Sequence, residues 1–434
     1  MRLWIIGTLT ILIAGILAGC GVAAPESASE GTTDNPIVLR VATGDSGNGL
    51  TPHRQIIEAF EAQHPTIKVQ VESVEGRDYY GRLLTDIAAG TAADIIQVGD
   101  DALPKFIEQE AFVPLDGYLT GPNALDTGIY LPGILEPGRW QGQQYLLPKD
   151  YSTLAVFYNK KLFDEHGVAY PQDGWSWDDF LATAQALTKD TNGDGQTDVW
   201  GVQLPASWTT GFEYWVLSAG GALISPNGES FVGYLDSPRT VEAVQFYADL
   251  YNKHQVAPLP TDLNAFGGGN TEFEDGRAAM WLFGRWPQTG LQNNPNVELG
   301  VVGPPRQAKA ANILIWGGFG IFSGSPNREA AWKFLRFYAG QEGAEVWKDW
   351  ALPAVEQVAI EAGLTEDPIE GVWLKELNRV QPRGYTYTPY WERTADPAMR
   401  RVLEAIIIDP DANVAALLQE AALGAQTSLN DINR

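Results

Sequence analysis

The spacing of apolar residues switches between two patterns in the first third of the chain. Continuous or alternating apolar residues predict strands at 37–42, 67–71 and 94–98. Between these strands, apolar residues recur at helical spacing at Ile56, Ile57 and Phe60 and again at Leu83, Leu84 and Ile87. Strands that alternate with helices predict a parallel α/β sheet.

Two polar loops follow predicted strands of this sheet. The glycine-rich loop 43–49 follows the first strand, and Gly99-Asp100-Asp101 follows the third. Because ligands of open α/β sheets bind beyond the carboxyl ends of the strands, we expect these loops to meet at one edge and to face a ligand.

The remainder of the chain alternates between extended and helical patterns. An extended stretch covers 145–158, and the chain is tryptophan-rich and more helical from about 160 to 296. Strand patterns return at 299–302 and at 313–316, after which Ser325 is predicted as the N-cap of a helix. The last stretch is predicted to be helical at 399–408 and 414–423.

The N-terminus has the pattern of an export signal. Residues 3–17 are almost wholly apolar, which is too short for a membrane span, and Leu17-Ala18-Gly19-Cys20 follows. This string resembles the bacterial lipobox, so 1–20 is expected to be a lipoprotein signal peptide and Cys20 the lipidated residue. The alternative is an ordinary secretory signal with an incidental cysteine. Residues 21–36 are small and polar and are expected to form a flexible tether.

The amino-acid composition argues against several classes of function. The 434 residues carry a formal net charge of -25, without clusters of Lys and Arg, so a nucleic-acid binder is not expected. Four His and one Cys are too few for a typical zinc or iron site. Paired carboxylates could still support hydrolysis of glycosides.

Several ordered segments of the chain resemble family 1 of the extracellular solute-binding proteins, the group that contains the maltose-binding protein. The resemblance extends over nearly the whole mature chain, and it depends on the order and spacing of the segments. These segments are 78–96, Leu147-Pro148 with 157–163, 273–281 leading to Gly284-Arg285-Trp286, and 317–321 with 325–335.

The resemblance implies a periplasmic-binding-protein-like fold, in which two interleaved α/β lobes are joined by a hinge. Lobe 1 is expected to comprise 37–152 and 297–355, and lobe 2 to comprise 153–296 and 356–434. The implied function is capture of a mono- or oligosaccharide between the lobes by hinge closure. A monomer, lipid-anchored to the outer face of the cytoplasmic membrane through Cys20, would deliver the sugar to the permease subunits of an ABC importer. It would not be an enzyme.

Aromatic rings that could stack on the faces of a sugar are plentiful. The resemblance places Trp286 and Trp391 on ligand-stacking positions of the family, and it places the Gly317-Gly318 turn against the cleft. Packing in the core is the alternative for each ring. The further aromatic candidates for ligand contact are Trp208, Trp316 and Tyr390.

Polar candidates lie in the loops. Asp45, Ser46 and Asn48 belong to the first strand-to-helix loop, and Asp101 falls on a contact position of the family. Tyr151 and Ser152 lie at the first crossing between lobes, where the family often has a carboxylate. The alternative for the loop Asp residues is a turn or a helix cap.

Residues 190–198 match the first part of a calcium-binding loop but lack its final Glu. A structural calcium ion and a hydrated Asx turn are both compatible with this spacing, and no other cofactor is expected. The candidate ligands are Asp190, Asn192, Asp194, Gln196 and Asp198.

Two other functions remain as alternatives. A secreted glycoside hydrolase would need two carboxylates on either side of the scissile bond, and no such pair is evident at successive strand ends. Within the same fold, a binder of a glycerol-phosphate ester or a polyamine is the second candidate. A phosphate should recruit Arg, and Arg77, Arg285 and Arg393 are available but scattered.

Overall fold

The computed structural model describes residues 31–74, 79–121, 123–204, 209–259 and 272–434, with side chains from 212 onward in the fourth range. The predicted signal peptide, Cys20, Arg77 and Trp208 lie outside these residues. Among the helices described, none is both long and apolar enough to cross a membrane.

The strands and helices of the described residues follow in chain order. The strands are β1 (Ile37–Thr43), β2 (Ile67–Ser73), β3 (Ile95–Gly99), β4 (Arg139–Trp140), β5 (Gln143–Gln144), β6 (Leu147–Ser152), β7 (Ala155–Asn159), β8 (Trp200–Gln203), β9 (Ala278–Phe283), β10 (Leu299–Val302) and β11 (Ile315–Ile321). The helices are α1 (Leu50–Gln63), α2 (Tyr79–Ala88), α3 (Leu103–Glu108), α4 (Asp116–Leu119), α5 (Lys160–His166), α6 (Trp177–Leu187), α7 (Thr209–Ser218), α8 (Pro238–Asn252), α9 (Gln288–Gln292), α10 (Arg328–Ala339), α11 (Gln341–Trp347), α12 (Glu356–Glu361), α13 (Glu370–Glu376), α14 (Ala395–Ile408) and α15 (Val414–Ile432).

The first sheet has the order β2-β1-β3-β11-β6. β1 is parallel to β2 and β3, as the alternation of strands and helices predicts, whereas β11 is antiparallel to both of its neighbours. Helix α1 packs Phe60 edge-to-face against Phe334 of α10, with ring centroids 5.0 Å apart. This aromatic contact packs α1 against α10.

The second sheet has the order β10-β7-β9-β8. Every residue of β7 is buried, and β9 is buried except at Phe283, so neither strand alternates polar and apolar residues. Helix α6 begins with a reciprocal capping box between Ser176 and Asp179. Helices α7, α8, α14 and α15 complete the core on this side, around the fully buried Trp215.

The amide of Asn312 joins three segments where the chain passes between the sheets. Its Oδ1 accepts from Leu154 N at 2.9 Å, and its Nδ2 donates to Leu154 O and to Glu376 Oε2, each at 2.8 Å. Its backbone N–H donates to Arg379 O at 2.8 Å, and its carbonyl accepts from Gln381 N. Buried backbone groups must form hydrogen bonds. The bonds of Asn312 therefore allow the chain segments that pass between the sheets to lie side by side in the protein interior.

The strand pairing corrects the predicted lobe boundaries at one place. β10 pairs with β7, so 299–302 belongs with the second sheet instead of lobe 1. Elsewhere the division into lobes stays a prediction.

One further expectation about local structure was wrong. Ser325 does not cap α10, because the helix begins at Arg328 after Asn327, and the Ser325 hydroxyl donates to Asp94 Oδ1 at 2.6 Å. The tryptophan-rich segment contains helices α5 to α9, as predicted, and also the strands β8 and β9. Because β9 is almost wholly buried, its residues do not alternate between polar and apolar, and the sequence pattern does not identify it as a strand.

Replacement of Asn312 by Ala is expected to lower the free energy of unfolding by about 3 kcal/mol, because it leaves buried groups of Leu154 and Glu376 unpaired. Denaturant titration measures this change. The exposed Asn293→Ala variant is the control and should change stability by less than about 0.5 kcal/mol. Equal stability of the two variants would contradict the role of Asn312.

Candidate ligand-binding site

Four strand ends meet at one edge of the first sheet, where β1, β3 and β6 end and β11 begins. Gly317 pairs with Gly99 of β3 on one side and with Asp150 of β6 on the other. The Thr43 hydroxyl at the end of β1 donates to Oε1 of Gln97. The polar group gathered here is called the acidic edge, and it consists of Asp45, Gln97, Lys149, Asp150 and Gly317.

The buried ammonium of Lys149 holds the acidic edge together. Its Nζ lies 2.7 Å from Asp45 Oδ2 and 3.4 Å from Asp150 Oδ2. The same Asp45 oxygen lies 2.8 Å from His53 Nε2, and His53 Nδ1 lies 3.1 Å from the Tyr338 hydroxyl. The loop after β1 is thereby tied to α1, α10 and β6.

Burial and neighbouring charges shift the pKa values of these groups in opposite directions. Burial alone would raise the pKa of Asp45, but Lys149 and His53 hold that pKa well below its usual range. Burial lowers the pKa of His53, which favours the neutral ring. Burial would also lower the pKa of Lys149, but Asp150 and Asp45 outweigh it and raise that pKa. One ammonium thus faces two carboxyl groups.

Gly317 leaves a small notch in the acidic edge. A methyl group placed on its Cα would lie 3.4 Å from Asp150 Oδ1, 3.5 Å from Gln97 Nε2 and 3.8 Å from Lys149 Cε. Gly317, Asp150, Gln97 and Asp45 are all half-buried, so solvent reaches this edge. The side chains of Asp150 and Gln97 therefore both lie close to the backbone of Gly317 and leave room for a methyl group.

An aromatic row from the second sheet ends beside the acidic edge. Trp281 stacks on Phe283 at 4.4 Å between ring centroids, and Phe283 meets Trp286 edge-to-face at 4.7 Å. Arg285 N donates to Ser152 Oγ at 2.9 Å, which brings the turn after β9 to the end of β6. Trp286 is 52% exposed, so about half of its surface is open to solvent or to a ligand.

Other predicted site residues are distributed between the core and the surface. Trp391 is only 9% exposed and packs near Phe231 in the core of the second sheet, and Trp316 is buried in the core of the first. These two rings serve as core residues here, and their contact with a ligand stays a prediction. Of the rest, Tyr151, Ser152 and Gly318 are buried, Ser46 and Tyr390 are half-buried, and Asn48 and Asp101 are exposed.

The sequence patterns do not single out Gln97, Lys149 or Asp150. The sequence does give one indication for Lys149, because this residue lies in a predicted extended stretch between Pro148 and Asp150. A lysine that is buried in such a stretch needs a carboxylate partner. Its closest partner, Asp45, is 104 positions away in sequence, so the spacing of residues gives no indication of the pair.

A second polar cluster connects the end of β3 with the segment before α14. The Tyr385 hydroxyl donates to Asp100 Oδ2, and Arg383 Nη1 lies 3.2 Å from that hydroxyl. Arg383 also pairs with Glu213 of α7, with Nε 3.1 Å from Oε2. Burial raises the pKa of Asp100 to about 7, although Arg383 acts in the opposite direction.

Beside this cluster lies a cavity of about 410 Å³. Of the loop Gly99-Asp100-Asp101, which the sequence predicts to face a ligand, Asp100 lines this cavity. Asp100, Arg383 and Tyr385 are bonded to one another, and the rest of the lining is partly polar, with Glu136, Arg139 and Gln381. The acidic edge, whose carboxylates face solvent, is a separate group of polar side chains. The apolar lining includes Leu103, Pro104, Trp140 and Leu314.

The loop 190–198 is stabilised by its own side chains. Asp190 accepts from the N–H groups of Gly193 and Gly195, and Asp198 accepts from Thr191 N at 2.7 Å. Within the described ranges, no three His, Cys, Asp or Glu residues form a group that could hold a metal ion. The Asx-turn alternative accounts for these bonds, and calcium binding stays a prediction from spacing.

The carboxyl group of Asp100 should make stability depend on pH. Its folded-state pKa of about 7 lies above the ordinary value of 3.8, so its contribution is fully present below about pH 4 and is lost as the pH rises through about 7. Thermal melting should show wild type losing stability relative to Asp100→Asn between pH 5 and pH 8. A difference that stays constant or grows with pH would contradict this sign.

Known proteins with similar sequences are binding proteins. The family model for the bacterial extracellular solute-binding proteins matches residues 47–345. A binding protein of Brucella abortus is 29% identical over 333 residues, which cover 75% of this chain and 76% of that protein. The erythritol/L-threitol-binding protein of Mycolicibacterium smegmatis is 25% identical over 417 residues, 87% of this chain and 82% of that protein.

Solved structures share the fold. An ABC substrate-binding protein of Listeria monocytogenes in complex with cycloalternan superposes with a TM-score of 0.81 at 24% identity, covering 91% of this chain and 100% of that chain. The two interleaved α/β lobes are thus those of the maltose-binding type. The chain belongs to the bacterial extracellular solute-binding protein family, the exported substrate-binding proteins of ABC transporters.

Proposed function

We propose that the protein captures a mono- or oligosaccharide between its lobes by hinge closure and delivers it to the permease of an ABC importer. The observation that carries this proposal is the exposed ring of Trp286 beside the acidic edge. A sugar has apolar C–H faces and hydroxyl groups around its rim. An aromatic face next to carboxylate and amide groups complements both.

The named ligands of similar proteins support a hydroxyl-rich ligand. Erythritol and L-threitol, from the name of the Mycolicibacterium protein, are polyols. Cycloalternan, bound by the Listeria protein, is an oligosaccharide. These ligands differ in size but share neutral hydroxyl groups, which agrees with the polar groups of the acidic edge.

A phosphate-ester ligand has less support from the described residues. The buried guanidinium of Arg285 is occupied by Glu370, with Nε 2.7 Å from Oε2. Arg393 lies 3.1 Å from a carboxylate oxygen of Glu108. Because both cations are already neutralised, neither offers the unpaired charge that a phosphate would recruit.

The proposal includes binding without chemical turnover, because the family consists of binding proteins. Incubation with maltotriose should leave the sugar intact while it raises the melting temperature. Release of glucose or maltose would favour the glycoside hydrolase instead.

Replacement of Trp286 by Ala should weaken saccharide binding by roughly tenfold or more, because it removes about 1.4 kcal/mol or more of ring stacking. Calorimetry with whichever of erythritol, glucose and maltotriose binds wild type measures the loss. Stability should change little, since half of the ring is already exposed to water.

Trp391→Ala is the matched control for Trp286→Ala. Its ring is buried, so its removal should lower the free energy of unfolding by about 3–5 kcal/mol. Unchanged affinity in the Trp286 variant, with a ligand that binds wild type, would show that the exposed ring does not contact the sugar.

Lipid anchoring through Cys20 is part of the same proposal. Cys20→Ala removes the thiol that would carry the lipid, so the mature protein should move from the membrane fraction to the soluble fraction of expressing bacteria. Fractionation followed by immunoblotting measures the distribution. Equal membrane association of variant and wild type would contradict lipidation at this cysteine.

A further inference from the structure

Two ion pairs join helix α3 to the single-turn helix Trp391–Arg393. Lys105 Nζ lies 2.8 Å from Glu392 Oε2, and Arg393 Nη2 lies 3.1 Å from Glu108 Oε2. The partners are 287 and 285 positions apart in sequence. Residues three apart on a helix lie on the same face, so Lys105 and Glu108 both point from one face of α3. These two ion pairs together are called the clasp.

The two sides of the clasp belong to different cores. Helix α3 follows β3 of the first sheet, and its Phe106 packs edge-to-face on Tyr80 of α2, with ring centroids 5.7 Å apart. Trp391 instead packs in the core of the second sheet, and Trp391–Arg393 lies against α14. The clasp therefore connects one half of the fold to the other.

The boundary beside the clasp is not tightly packed. Leu103 and Pro104 of α3 line the cavity of about 410 Å³ together with Tyr385 and Thr386 of the opposite segment. The four side chains of the clasp keep between 31% and 55% of their surface exposed. Interfaces between domains that move relative to one another are more polar than domain cores. Separation of the two sides would therefore break ion pairs without opening a close-packed core.

The clasp is reciprocal in charge. The cation of the first pair, Lys105, lies on α3, whereas the cation of the second pair, Arg393, lies on the opposite segment. Ion pairs as exposed as these contribute little to the stability of a fold. The same small free energy changes the populations of two conformations several-fold when the pairs form in only one of them.

We propose that the clasp stabilises the closed arrangement of the lobes, so that its side chains set the affinity for the ligand without contacting it. This inference rests on the proposed function, which requires hinge closure. When the open form prevails before the ligand binds, a weaker clasp lowers the population of the closed form, and the affinity falls by the same factor.

Lys105→Glu tests the clasp, because it places a second carboxylate opposite Glu392. The affinity for whichever of erythritol, glucose and maltotriose binds wild type should fall about fivefold in calorimetry. The double variant Lys105→Glu with Glu392→Lys restores opposite charges and should bind within about twofold of wild type.

Lys348→Glu is the matched control. Lys348 pairs with Glu345 at 2.7 Å and is about as exposed as Lys105, but both of its partners lie at the end of α11. This control should leave the affinity unchanged. Without ligand, the melting temperature of the Lys105 variant should stay within about 2 °C of wild type. A larger fall would mean that the ion pair serves folding and would overturn the inference.

The remaining outcomes separate the clasp from the proposed function. Unchanged affinity of the Lys105→Glu variant, or a loss that the double variant does not restore, would overturn the inference and leave the proposed function intact. If erythritol, glucose and maltotriose all fail to bind wild type, the proposed function fails and the inference fails with it.

Discussion

The structure of the acidic edge depends on the ion pairs that the buried ammonium of Lys149 makes with Asp45 and Asp150. An unpaired buried cation would be costly, so Asp45 and Asp150 must both approach it, and their approach fixes the loop after β1 against the end of β6. His53 and Tyr338 extend the same constraint to two helices. The carboxyl groups that remain half-exposed are therefore held in position before any ligand arrives, which lowers the entropic cost of binding.

The topology of the first sheet brings the partners of Lys149 to the same edge. β1, β3 and β6 end at one edge because they run in the same direction within the sheet, and β11 begins there because it runs the opposite way. The chain passes from the first sheet to the second and back through buried segments. The backbone groups of these segments must therefore form hydrogen bonds within the protein. Asn312 meets that requirement for three segments at once. The placement of the edge and the pairing of the crossing segments thus come from separate sets of contacts.

Much of the first sheet follows from the sequence, because the spacing of apolar residues in 37–98 is set by local backbone geometry. The partners of Lys149 could not be predicted in this way, since they are distant in sequence and meet only through the sheet register. The same limit applies to the tryptophans, because identical rings at Trp286 and Trp391 differ in exposure through their tertiary neighbours alone. β10 resembles any short buried strand, so its membership of the second sheet depends on its pairing with β7.

The most direct test of this account is a crystal structure of the protein with a bound neutral sugar. The account predicts that sugar hydroxyl groups lie within hydrogen-bonding distance of the carboxyl groups of the acidic edge and that a sugar face lies against Trp286. A sugar bound instead in the cavity beside Leu103 and Trp140, with water along the acidic edge, would contradict it.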